Sequence, residues 1–148
     1  MKALLIAAIG MMPNFVLAQS VSDCEWQAHS SNIAEPWEDN TRTFSNGDVR
    51  LAYLDTVEPA AGYAHLLILS PPYDEVGSRQ CKTVGMSEGL GFAGLSFAEL
   101  EASYDPATGL VFTVPIGIYA PEEGESKFNT LKVGLNQSSG DITAEILR

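Results

Sequence analysis

Leu110, Phe112, Val114, Ile116 and Ile118 place five apolar side chains at every second position of one uninterrupted segment. A period of two puts them on one face of an extended strand, whereas a helix would scatter them around its axis. Just before it, Leu100, Ala102 and Tyr104 alternate with Glu101 and Ser103. Asp105-Pro106-Ala107-Thr108-Gly109 joins the two runs as a turn, because Pro presets φ for a turn position and Gly accepts a positive φ. The pattern predicts a β-hairpin.

The same reasoning extends along the chain. Asn46-Gly47 is a strong hairpin signal, with residues 41–45 running in and residues 48–54 running out, Val49, Leu51 and Tyr53 on one face. Leu131, Val133 and Leu135 are expected to pair with Ile142, Ala144 and Ile146 across Gln137-Ser138-Ser139-Gly140. Residues 64–69 are apolar on both faces, which suits a central strand, and Pro71-Pro72 is expected to stop it. Residues 81–86 form a weaker strand candidate. Residues 95–104 contain helix formers, but the alternation from Glu99 into a good turn favours strand. Segments 35–40, 57–62, 71–78 and 121–126 read as loops rich in Pro, Gly and acid. About seven to nine short strands between turn signals predict an all-β domain, a single antiparallel β-sandwich or a small barrel.

Residues 1–18 are expected to stand outside that domain. Lys2 precedes an apolar run of ten residues, and Val16 and Ala18 occupy the −3 and −1 positions of a cleavage site. This is the layout of a secretory signal peptide, and the run is far shorter than the roughly 20 residues that span a bilayer. Residues 19–148 are then a single domain, periplasmic or secreted, with no membrane insertion after cleavage. Loss of Lys2 takes the formal charge from −11 to −12.

Export also sets the cysteine chemistry. Cys24 and Cys81 are the chain's two cysteines, 57 positions apart, and an even pair in an oxidising compartment reads as a disulfide. Cys24 lacks the small apolar residues that precede a lipidated cysteine. No C-x-x-C or histidine pair supports a metal, so neither a metal site nor a cofactor is expected.

The acidic excess repels nucleic acid and anionic lipid, and no Lys/Arg cluster offsets it. Gly89-Leu90-Gly91-Phe92-Ala93-Gly94 matches the dinucleotide fingerprint in letters, but no helix pattern follows and no ribose-binding acid ends the next strand. It reads as a glycine-rich bend between strands. No nucleophile elbow or H-E-x-x-H is present, so the chain leans away from enzyme chemistry. Glu122, Glu123 and Glu125 lack the alternating ligands of a calcium loop. Asn136-Gln137-Ser138 is a glycosylation acceptor wherever the source glycosylates.

Two readings of function remain. Trp37, with Tyr73, Asp74 and Glu75 in a Pro-rich loop, offers exposed aromatics beside acids, as does Trp26. Such a surface suits a non-catalytic module that binds a basic exported protein or an envelope component, for instance as inhibitor or escort. The alternative is a small-ligand or metal carrier with a pocket near His65 and Tyr63, one face of the central strand. His65 is otherwise expected to be a hydrogen-bonded core residue, and His29, in a polar run, a surface one.

Overall fold

The computed structural model describes residues 19–147. The expected signal peptide, residues 1–18, lies outside the described residues. Two antiparallel sheets face each other as an all-β sandwich. One contains β1 (Ser20–Asp23), β2 (Thr41–Phe44), β3 (Val49–Asp55), β4 (Ala64–Tyr73) and β5 (Arg79–Gly85), in the order β1-β5-β4-β3-β2. The other contains β6 (Gly94–Leu95), β7 (Glu101–Asp105), β8 (Gly109–Ala120), β9 (Glu125–Leu135) and β10 (Ile142–Leu147). Here β10, β9 and β8 follow in order, and β6 and β7 share the remaining edge of β8. Each sheet is chiefly a meander, so most neighbours in space are neighbours in sequence. Among the described residues no helix is long and apolar enough to cross a membrane.

Alternation decides which faces meet. Val49 and Leu51 of β3, Leu66 and Ile68 of β4, and Val84 of β5 point inward and are buried. They pack on Phe112, Val114 and Ile116 of β8 and Leu131, Val133 and Leu135 of β9. The expected pairing of β9 with β10 holds residue for residue: Leu135 faces Ile142, Val133 faces Ala144 and Leu131 faces Ile146. β4 is the middle strand of its sheet, as its two apolar faces require.

The two seams between the sheets are bridged at points and do not close into continuous ladders. At one, the Gln19 amide donates to the Ala144 carbonyl at 3.3 Å. At the other, the Arg42 guanidinium donates to the carbonyls of Leu100 (2.8 Å) and Ala98 (3.3 Å) and lies over the Phe97 ring. Ala64 and Phe92 also exchange a pair of backbone bonds.

Three local expectations are revised. The prolines do not stop β4, which runs on to Tyr73. The ladder slips between Ser70 and Tyr73, so Pro71 and Pro72 fall in a bulge where a missing N–H breaks no pair. Strand does not begin at Glu99: Phe97–Glu99 is a single 3₁₀ turn that drives Phe97 into the core, and β7 starts at Glu101. Finally, Ala102 and Tyr104 are exposed, as is every residue of β7, an edge strand paired to β8 alone.

Residues 24–34 have no sequence signature of structure, yet they cover the outer face of the first sheet. Cys24, Ala28 and Ile33 pack over Ala52, Leu54, Leu67 and Leu69, and Ile33 bridges to Leu54. The Cys24–Cys81 disulfide, with a Cα separation of 5.4 Å, fixes the start of this cover to β5. Such a bond belongs to an oxidising compartment.

Candidate docking surface

β8 and β9 pair continuously from Leu110 opposite Leu135 to Ala120 opposite Glu125. Their neighbours stop sooner. β10 ends opposite Thr130, and β6 ends opposite Gly117. Residues 118–129 therefore form a two-stranded arm with no third strand on either side among the described residues.

The register fixes what the arm presents. Val114, Ile116 and Ile118 face the core side, so Pro115, Gly117 and Tyr119 face outward. Phe128 is opposite Gly117, shares that outward face and is 82% exposed, with no side chain across the ladder to shield it. Tyr119, next along the face, is 42% exposed. Leu147 and Pro115 flank Thr130 in the adjoining row, which continues the apolar strip onto the sheet.

Beyond the aromatics lies acid. Glu122, Glu123 and Glu125 crowd the turn at the tip, and the arm's one base, Lys127, is ion-paired to Glu123. Exposed aromatic surface rimmed by charge of one sign is characteristic of a protein interface and uncommon on an isolated surface.

The residues singled out in the sequence are not gathered in one place. Tyr73 donates from its hydroxyl to Asp48 Oδ1 at 2.8 Å, which raises its pKa, and Arg79 stacks over its ring. Arg79 also donates to the carbonyls of Gly47 and Asp48. Together they staple the β4–β5 turn to the β2–β3 turn. Asp74 caps its own turn by accepting from the amides of Val76 and Ser78, and Glu75 is exposed beside it. Trp37 is 52% exposed but precedes Thr41, at the end of β2 away from that staple. Trp26 is exposed on the 24–34 cover. Asn136 accepts the amides of Ser138 and Ser139 through Oδ1 and so caps the β9–β10 turn.

His65 and Tyr63 also have separate surroundings. Tyr63 packs beside Tyr53 against the main core, and burial, with that neighbour, raises the Tyr53 pKa. His65 is 2% exposed on the outer face of β4, opposite Leu54. It is buried as expected, but its Nε2 has no hydrogen-bond partner, and desolvation lowers its pKa. A Cβ at Gly91 would stand 2.8 Å from Nε2, and one at Gly85 would stand 3.2 Å from Nδ1. The second glycine of the fingerprint thus serves close packing over a histidine. The first, Gly89, takes a positive φ in the tight turn closed by Ser87 and Leu90. His29 is exposed and bonded to Ser31 Oγ at 2.8 Å.

Residues 121–126 read as a loop in sequence, whereas β9 begins at Glu125 and carries Phe128, which no sequence motif marks. The missed signal was Ser126 to Asn129, which alternates poorly but continues the strand that Leu131 announces. Comparison with known proteins gives no match: no family model, no curated protein and no solved structure is significantly similar to the chain.

Proposed function

We propose that this protein is an exported, non-catalytic binding module, periplasmic or secreted, that docks a basic protein through the β8–β9 arm. The observation that carries the reading is Phe128, held exposed on a hairpin that outruns both flanking strands. A buried aromatic anchor supplies contact energy at an interface, and surrounding charge selects the partner and speeds encounter. Three glutamates at the tip and a formal charge of −11 select for a basic one. The close approach of Gly85 and Gly91 to the His65 ring speaks against a carrier pocket there.

The test is capture from the exported fraction by the protein and by a Phe128→Ser, Tyr119→Ser variant, at low and at high salt. A basic protein held at low salt, released at high salt and lost with the variant supports the reading. Capture that the variant retains, or that salt leaves unchanged, refutes it.

A further inference from the structure

We infer that the open edge of β9 takes up an extended basic segment of the partner as an added β-strand. The inference rests on the proposed docking through the arm and names the main-chain atoms that make it. Hydrogen bonds elsewhere on the two strands fix where those atoms point. The amides of Ala93 and Ser96 donate to the carbonyls of Gly117 (2.8 Å) and Pro115 (2.9 Å), so the odd-numbered residues of β8 direct their N–H and C=O groups toward β6. The Asn136 amide donates to the Asp141 carbonyl at 2.9 Å, so the even-numbered residues of β9 direct theirs toward β10.

β10 ends opposite Thr130. The N–H and C=O groups of Ser126 and Phe128 therefore point to an edge with no strand on it among the described residues. The arm's other edge offers less. β6 engages Gly117, which leaves Tyr119 as the outward-directed residue of that stretch. Sheet edges are commonly blunted by a proline or a bulge. Residues 125–129 contain no proline, and their register with β8 runs without a slip. A strand laid here continues the line of β10 and sets alternate side chains beside exposed Phe128.

Charge names the occupant. Lys127 is ion-paired to Glu123, while Glu122 and Glu125 have no cation among the described residues. A second copy of the chain would bring the same acids edge to edge, where like charges repel. A basic segment neutralises them, and its residue opposite Glu125 makes a cross-strand pair of opposite charge.

The probe is the peptide acetyl-Thr-Val-Thr-Val-Lys-Arg-amide, followed by amide NMR and hydrogen exchange. Laid antiparallel to β9, it places its valines opposite Phe128 and Ser126 and its lysine opposite Glu125. Bound peptide slows exchange at the Ser126 and Phe128 amides and leaves that of Tyr119 unchanged. N-methylation of both valines, whose N–H groups face β9, weakens binding at least about tenfold, and N-methylation of the second threonine and the lysine leaves it intact. Glu122→Gln with Glu125→Gln weakens it about fivefold. No protection at Ser126 and Phe128 with ~5 mM peptide, protection at Tyr119 instead, or equal binding of the two methylated peptides overturns the inference. Protection that rises with protein concentration and needs no peptide gives the edge to a second copy and overturns it too.

Two variants separate this inference from the docking beneath it. Ser126→Pro removes an outward N–H and no β8–β9 bond. Capture of the basic protein that is lost with Phe128→Ser yet survives Ser126→Pro upholds docking and overturns strand addition. Capture that survives Phe128→Ser refutes the docking and the inference with it.

Discussion

The Arg42 guanidinium, on the edge strand of one sheet, donates to the main-chain carbonyl of Leu100 on the other at 2.8 Å. Leu100 leaves the Phe97–Glu99 turn, whose carbonyls would otherwise face a seam with no ladder to satisfy them. One side chain thus closes the open side of the sandwich and, lying 5.4 Å over the Phe97 ring, covers a core aromatic.

Arg42→Ala is accordingly expected to cost about 2 kcal/mol, the scale of charge-assisted bonds plus a cation–π contact. Arg42→Lys, which cannot reach both carbonyls with a planar fork, should fall between. Urea denaturation measures both. A variant within ~0.5 kcal/mol of the parent would mean the seam closes without Arg42.

Conversion of Cys24 and Cys81 together to Ser removes a constraint on a 57-residue loop. The expected loss is about 4 kcal/mol, read as a fall in thermal midpoint, with binding through the arm unchanged because the arm belongs to the other sheet. Loss of binding at a temperature where the variant is still folded would tie the bridge to function.

Gly91 and Gly124 provide a matched pair. A Cβ at Gly91 would lie 2.4 Å from the Ala64 carbonyl oxygen and 2.8 Å from that of Gly62, both backbone atoms that cannot step aside. Gly124 has a positive φ but open space around it. Gly91→Ala should therefore destabilise by about 2 kcal/mol or more. Gly124→Ala should cost only about 1 kcal/mol of backbone strain. The reverse order in chemical denaturation would contradict the packing described over His65.

His65 makes stability depend on acidity. Its pKa in the folded protein is lowered by burial, so the ring stays neutral there while the unfolded chain takes up a proton near pH 6.5. The stability its neutral form confers is fully present above about pH 6.5 and is lost as pH falls toward the folded pKa. The loss approaches ~1.4 kcal/mol per pH unit. His65→Gln should flatten the stability profile between about pH 6.5 and 5 relative to the parent. Parallel profiles would show that the histidine protonates equally in both states.

Most of the sandwich was legible because apolar alternation is a local code. The β9–β10 register, the turn at Asn46-Gly47 and the central place of β4 all follow from residues that are near one another in sequence. What stayed hidden is set by partners distant in sequence. Nothing in residues 24–34 says that they will lie over Leu54 and Leu67, and Tyr73 reads as free until Asp48 and Arg79 arrive beside it. The arm escaped because the exposure of Phe128 depends on where β6 and β10 end, and those ends are properties of neighbouring strands. Asp74, offered as a partner-binding acid, is occupied by its own turn amides.

The central claim is that the Phe128 face of the arm docks a basic protein. Its most direct test is a photo-crosslinking residue placed at Phe128, with the same residue at exposed Tyr104 on β7 as control, in the exported fraction at low salt. A single basic protein crosslinked from position 128, absent from position 104 and lost at high salt, is the expected result. No crosslink from 128, or the same proteins from both positions, would contradict the account.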